Sequence, residues 1–435
     1  MQLTIIGTGY VGLVSGACFA EIGHTVTCLD IDNKKIVNLR KGVPPFYEPE
    51  LAQMLLRHIT QGNISFTTSY KVGCKNQLIF LCLDTPPKNN GNLNLSTIFS
   101  AIQSISNNLT GSSIVVTKST VPLGTNKILQ SKFDTLLKGK KHSVEICANP
   151  EFLREGSAIK DFLKPDRIIV GINSLTAKKV MQDVYKPLNT SSRKTIMMSP
   201  ESAELTKYAA NSFLATKISF INEMAMLAEH NNANIHDIKR GIGSDRRIGN
   251  AFLNAGLGFG GSCFPKDIRA LIAEEKKANL THSIIKSAYQ INQSQLEFFY
   301  LKIKNFYKGS LKKKNLLIWG LAFKPNTDDL RDSLAIKLIR RLAPQVNELA
   351  LYDPVASCKA KAELKKVLNI TFISEPYEEI SSMDALVICT EWSEFSSPML
   401  NELQKLRDAV VFDGRNILQK SQINKAGLQY FGIGV

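Results

Sequence analysis

The first twelve residues constrain this chain more than any later stretch. Leu3–Ile6 is a short apolar run, followed at once by Gly7-Thr8-Gly9-Tyr10-Val11-Gly12 and then by helix-permissive sequence. In that spacing Gly7 permits a tight turn, Gly9 lets backbone approach a pyrophosphate, and Gly12 allows a helix to pack closely on the strand. The helix start also offers free N–H groups to phosphate oxygens. Asp30 stands eighteen residues beyond Gly12, at the end of the next apolar run, Val26–Leu29. A carboxylate there binds the two hydroxyls of an adenosine ribose and repels a 2′-phosphate, so NAD is expected rather than NADP, with Lys34 and Lys35 as the opposing charges.

The pattern continues with apolar runs at Leu78–Leu83, Ile114–Thr117, Val144–Ala148 and Ile168–Val170, separated by helix-length segments. Such alternation predicts βαβ units and a parallel sheet. At Ser199-Pro200 the character changes. A helix with Pro200 in its first turn is predicted to run to about His230, and no strand-like run follows until about residue 300. Strand patterns resume at Leu316–Trp319, Leu349–Tyr352, Ala385–Cys389 and Val410–Phe412. The expected fold class is α/β, with two Rossmann-like, doubly wound domains joined by a helical central domain with a long helix. The boundaries expected are 1–198, 199–307 and 308–435, with the polar stretch 308–314 as the second linker.

A length of 435 residues suits roughly three domains. Lys and Arg number 54 against 38 Asp and Glu, a formal charge of +16 that favours anionic ligands. The one basic cluster, Lys312–Lys314, has no interleaved aromatics, so nucleic acid is not expected as a partner. Eight cysteines without a CxxC suit a reducing compartment, the cytoplasm, and no metal is expected. Met1–Ala20 is uncharged, yet it lacks a basic start and is broken by Gly7, Gly9, Gly12 and Gly16, so it does not read as a signal peptide. No stretch reaches the length a membrane span needs.

The most unusual segment is Gly256-Leu257-Gly258-Phe259-Gly260-Gly261-Ser262-Cys263-Phe264-Pro265-Lys266-Asp267. Four glycines in six residues cost backbone entropy and point to close approach of a ligand to the main chain. Pro265 marks a helix start, which puts Cys263 at a helix N-terminus beside Lys266, where a thiolate is favoured. Asp267 is within reach of the same place. On the predicted long helix, Glu204, Lys207 and Asn211 share one face. Asn149-Pro150-Glu151-Phe152-Leu153-Arg154-Glu155 and Ser119-Thr120-Val121-Pro122 each follow a strand, at the sheet edge where α/β folds bind ligands.

Taken in order, Gly7–Gly12 with Asp30, Ser119–Thr125, Asn149–Gly156, Ala203–Glu223, Arg247–Asp267, Gly320–Ser333 and Phe412–Arg415 closely resemble the UDP-glucose/GDP-mannose dehydrogenase family over nearly the whole chain. The resemblance implies an NAD-dependent four-electron oxidation, of UDP-glucose to UDP-glucuronate, without release of the aldehyde. It implies Cys263 as nucleophile, forming a thiohemiacetal and then a thioester, because an aldehyde carbon must become tetrahedral before it can lose a second hydride. Lys207 and Asn211 would stabilise charge on the C6 oxygen, and Asp267, with Glu151 and Thr120 positioning a water, would move protons.

The resemblance places Gly7, Gly9, Val11, Gly12, Asp30, Lys35, Thr85, Thr120, Glu155, Lys266 and Arg331 around NAD. It places Glu151, Phe152, Leu153, Arg154, Glu155, Lys207, Asn211, Phe252, Leu253, Asn254, Ala255, Gly256, Gly260 and Lys324 around the UDP-sugar, with Arg247 and Arg415 as further contacts. A homodimer is implied as well. The sequence departs from the family pattern at Asp84 and at Asn254-Ala255, where a proline is usual before Gly256. The alternatives are the same chemistry on GDP-mannose or a UDP-N-acetyl sugar, a two-electron β-hydroxyacid-type dehydrogenase, and a non-catalytic NAD-binding protein.

Overall fold

The computed structural model describes residues 1–88, 91–189 and 194–435. It divides into two compact units, Met1–Ala210 and Asn211–Val435. In the first, β1 (Gln2–Ile6), β2 (Thr25–Leu29), β3 (Ile64–Thr67), β4 (Leu78–Leu81), β5 (Ser113–Thr117), β6 (Val144–Ala148), β7 (Ile168–Gly171) and β8 (Thr195–Met198) form one sheet in the order β3-β2-β1-β4-β5-β6-β7-β8. Every pairing is parallel except β6 with β7, which meet antiparallel at Ala148 and Gly171. The order reverses between β1 and β4, and that crevice is where a doubly wound sheet binds ligands.

The glycine turn sits at this crevice. Gly7 has φ +96°, and its N–H donates to the Leu29 carbonyl at 2.8 Å. A Cβ on Gly12 would lie 1.8 Å from the Gly7 carbonyl oxygen, so no side chain fits there. The helix that follows, Tyr10–Glu21, is buried from Gly12 through Ala20. It is apolar all round because it is covered on both sides, by the sheet and by the helices Leu51–Thr60 and Ala158–Leu163. Phe19 at its centre meets the rings of Phe80, Phe162 and Tyr185 at centroid distances of 5.0–5.7 Å.

The long helix runs from Pro200 to His230. The second unit contains Ile235–Gly243, Phe264–Lys277 and Ile284–Phe306 as further helices. Its sheet comprises β9 (Asn315–Trp319), β10 (Glu348–Tyr352), β11 (Ile370–Phe372), β12 (Ala385–Ile388), β13 (Val410–Asp413) and β14 (Gln429–Phe431), all parallel, in the order β11-β10-β9-β12-β13-β14. Trp319, fully buried on the central strand β9, stacks on Phe395.

The turn after β9 repeats the turn after β1. Gly320 has φ +90° and donates to the Tyr352 carbonyl at 2.8 Å. Asp353, at the end of β10, accepts from the Leu321 N–H at 2.7 Å, as Asp30 accepts from the Thr8 N–H at 2.9 Å. The copy is closed, however. The Asp353 oxygens also take the N–H groups of Ala322, Val355 and Ala356 and the Trp392 indole, which saturates the carboxylate with protein donors. Among the described residues no helix is long and apolar enough to cross a membrane.

Candidate active site

In the first unit, Asp30 Oδ2 accepts from the Thr8 N–H, the Thr8 hydroxyl at 2.7 Å and Lys35 Nζ at 3.0 Å. Burial pushes this carboxyl up, but the bonds from Thr8, Asp32 and Lys35 outweigh it and hold it below the ordinary aspartate range. It therefore stays ionised, as recognition of a ribose diol requires. Gly9 caps the helix without a side-chain bond. A Cβ built on Gly9 would meet the Asp84 carboxylate at 3.8 Å, an ordinary contact, so the turn is not crowded there as it is at Gly7 and Gly12. Ionised Asp30 and the close strand–helix turn at Gly7 and Gly12 together fit a dinucleotide. Thr85 and Thr120 lie together, the Thr85 hydroxyl donating to the Thr120 carbonyl at 2.7 Å.

Just beyond the end of β6 lies a buried ion pair. Lys207 Nζ donates to Glu151 Oε1 at 3.1 Å and to the Glu151 carbonyl at 2.7 Å, and it lies over the Phe152 ring. Both side chains are almost wholly excluded from solvent. Burial raises the Glu151 carboxyl, yet Lys207, the Leu153 N–H and Lys118 prevail and hold it below the usual glutamate range. Lys118 is itself buried, with Nζ donating to Asn149 Oδ1 at 3.2 Å, and burial lowers its pKa. One turn before Lys207, Glu204 accepts from the backbone N–H of Gly124 and of Asn126 and from the Asn126 amide. Glu204 thereby ties the loop that carries Thr120 to the long helix, and burial raises its pKa.

In the second unit, Cys263 is the N-cap of the helix Phe264–Lys277, with Pro265 in its first turn. Its sulfur is half-buried, 3.5 Å from the Ser262 hydroxyl. Other thiols are in different surroundings. Burial pushes Cys82, Cys147 and Cys389 up to about 12 and Cys74 up to about 11, and it raises Cys18 and Cys28 as well. Asp267 is fully buried; its Oδ2 accepts from the Asn211 amide at 2.7 Å, and Lys266 Nζ is 3.4 Å from Oδ1. Asn211 follows Lys207 by one turn of the long helix.

The glycines before Cys263 have a different reason from the one expected of them. A Cβ at Gly258 would strike the Asn292 amide at 2.4 Å, at Gly260 the Asp332 carbonyl at 2.4 Å, and at Gly261 the Phe323 ring at 2.5 Å. The close approach at these positions is to the chain's own groups, on the helix Ile284–Phe306 at Gly258 and on the 323–332 stretch at Gly260 and Gly261. Phe252 adopts φ +62°, an uncommon conformation for an aromatic residue. Leu253 and Ala255 are buried, Asn254 accepts from Lys239 at 2.6 Å, and the Gly256 N–H donates to Asn222.

The arginines already hold partners. Arg154 is forked onto Asp161, Arg247 onto Asp245 and Arg331 onto Asp329. Arg415 donates to the carbonyls of Cys389, Gly258 and Phe323. Lys324 Nζ lies over the Phe323 ring. Val11 is half-buried beside the glycine turn, and Glu155 is buried. Residues not singled out from sequence include Arg167, whose guanidinium stacks 3.8 Å over Phe152, together with Lys118, Tyr10 and Glu48. Tyr10 lies inside the glycine motif at a position its spacing leaves unassigned, and the other three stand in no local motif. Among the described residues no group of three or more His, Cys, Asp or Glu side chains is placed to hold a metal.

The chain belongs to the UDP-glucose/GDP-mannose dehydrogenase family, whose NAD binding domain matches residues 1–189, central domain 201–294 and UDP binding domain 317–420. It is an NAD-dependent oxidoreductase. It is 41% identical to the UDP-glucose 6-dehydrogenase of Rickettsia prowazekii, over 100% of this chain and 99% of that one. Identity to the UDP-glucose 6-dehydrogenase of Pseudomonas aeruginosa is 37%, over 100% and 97%. A solved UDP-glucose dehydrogenase from the archaeon Pyrobaculum islandicum superposes with a TM-score of 0.90 at 34% identity, covering 100% and 97% of the two chains.

Proposed function

We propose that this protein oxidises the C6 alcohol of UDP-glucose to a carboxylate, giving UDP-glucuronate. The observation that carries the reading is Cys263. It is a half-buried thiol on a helix N-terminus, in a chain whose other thiols are mostly deep in the core. Bound NAD would supply the hydride acceptor for each of two oxidations. In the first, Lys207 and Asn211 stabilise the C6 oxygen as its proton leaves, and Asp267 exchanges protons through the water that Glu151 and Thr120 hold. The Cys263 thiolate then adds to the aldehyde carbon, which makes a tetrahedral thiohemiacetal able to lose a second hydride. Water cleaves the resulting thioester, releasing the acid and restoring the thiol.

The sugar is read from full-length relatives at 37–41% identity that are named for UDP-glucose. Counting NADH per sugar nucleotide, with UDP-glucose, UDP-N-acetylglucosamine and GDP-mannose in parallel, tests substrate and chemistry together. Two NADH per UDP-glucose are expected, with little turnover of the others. A single NADH would mean two-electron chemistry and leave Cys263 without its role.

We also propose a homodimer. Phe213, Phe220 and Leu227 recur at seven-residue spacing on the long helix and are 66%, 45% and 52% exposed, a stripe that suits a second copy. Sedimentation should give twice the chain mass, and Phe213→Asp with Phe220→Asp should give one chain mass. NAD and UDP-sugar as ligands, and eight cysteines all free, suit the cytoplasm.

A further inference from the structure

Glu48 lies in the loop between the helices Asn33–Arg40 and Leu51–Thr60, outside every motif assigned a role above. Its side chain is nonetheless buried, and its carboxylate is surrounded by donors. Oε2 accepts from the Tyr10 hydroxyl and from the Gly156 N–H at 2.6 Å, and Oε1 accepts from the Ala158 N–H at 2.7 Å. The Ile159 N–H bonds to the same carboxylate. The Gly156 N–H also reaches the Tyr10 oxygen, at 3.0 Å, and the Phe46 ring packs on Tyr10 with centroids 4.8 Å apart.

Two segments 146 residues apart thus meet on one side chain. One is the opening of the dinucleotide helix, where Tyr10 sits between Gly9 and Val11. The other is the backbone that follows Glu155 and starts the helix Ala158–Leu163, whose own N-cap, Ser157, accepts from none of the helix's backbone N–H groups. We infer that Glu48 is a positioning residue for NAD, the carboxylate that fixes the backbone just after Glu155 against the start of the dinucleotide helix. The inference rests on the reading that Glu155 and the start of the dinucleotide helix face the cofactor.

Burying a carboxylate is costly, and the site uses what only a carboxylate offers. Both oxygens must accept, because every group facing them is an N–H or O–H donor. A carboxamide of the same shape would turn an NH2 toward one of those donors, so Glu48→Gln should disturb the clamp while leaving the packing volume unchanged. Tyr10→Phe removes one donor and keeps the backbone bonds.

The test is NADH binding, followed by nicotinamide fluorescence in the absence of sugar, alongside steady-state kinetics on the full chain. Glu48→Gln should weaken NADH binding roughly tenfold and raise KM for NAD similarly, with kcat and KM for UDP-glucose within about threefold. Tyr10→Phe should weaken NADH binding by about threefold. A folded Glu48→Gln protein with a lower Tm and unchanged NADH affinity would reduce Glu48 to a helix cap and overturn the inference. If Glu48→Gln does not fold, Tyr10→Phe decides, and unchanged affinity there overturns it. Failure of the unmodified protein to bind NADH would overturn both the inference and the cofactor reading beneath it, whereas equal binding by unmodified protein and variant sinks the inference alone.

Discussion

Replacing Cys263 by alanine should abolish formation of the uronic acid while leaving NADH affinity within about twofold of the unmodified protein. The asymmetry follows from where the groups sit. The ionised Asp30 and the glycine turn of the dinucleotide site belong to the unit Met1–Ala210, and Cys263 belongs to the other. The thiol is needed only after an aldehyde exists, since its addition is what makes that carbon tetrahedral. The variant should therefore still perform some first oxidation, and mass spectrometry should find UDP-sugar aldehyde or its hydrate where the unmodified protein gives acid. Cys263→Ser is the sharper comparison, because a hydroxyl at the same position is far less acidic than a thiol and should also fail to carry the second oxidation. Acid formation at an unchanged rate in either variant would remove the covalent mechanism.

The central strands of both sheets could be read from the chain because each is buried on both faces and so is a continuous apolar run. Four strands leave no such trace: Ile64–Thr67, Thr195–Met198, Ile370–Phe372 and Gln429–Phe431. These are the outermost strands of the two sheets. With a neighbour on one side only, they are short and partly exposed, and Thr195–Met198 has no fully buried residue. The antiparallel meeting of β6 and β7 was equally invisible, since both strands read as ordinary members of a parallel series.

The site divides the same way. The glycine turn and the Cys263 loop are local motifs, and their spacing is the signal. Glu48 and Lys118 act through partners from 31 to more than 100 residues away and Arg167 stacks on Phe152 of a different segment, whereas a lone Glu, Lys or Arg in sequence reads as a solvated charge. The glycines of the Cys263 loop were legible as unusual, but the reason for three of them was hidden in the helix and loop they pack against.

Lys207→Met should lower kcat by about 100- to 1000-fold, the usual loss when a preorganised charge stabiliser is removed, and should also destabilise the fold by about 3–5 kcal/mol. The second effect is a consequence of burial. The ammonium is the partner of a Glu151 carboxylate that has almost no contact with water, and removing one member of a buried pair leaves the other uncompensated.

The two effects separate by pH and by a double variant. In the unmodified protein Glu151 is held below its unfolded pKa, so its contribution to stability is present above the unfolded value, near 4.3, and is lost as pH falls through the folded one. Without Lys207, burial pushes the Glu151 pKa up, the folded state takes the proton more readily than the unfolded chain, and the variant gains stability as pH falls. The gap in Tm between the two proteins should therefore narrow on acidification below about pH 6. Adding Glu151→Gln to Lys207→Met removes the stranded charge and should recover most of the stability at neutral pH without recovering turnover. If the double variant regained activity, or if the gap in Tm stayed constant with pH, Lys207 would not be acting through this buried pair.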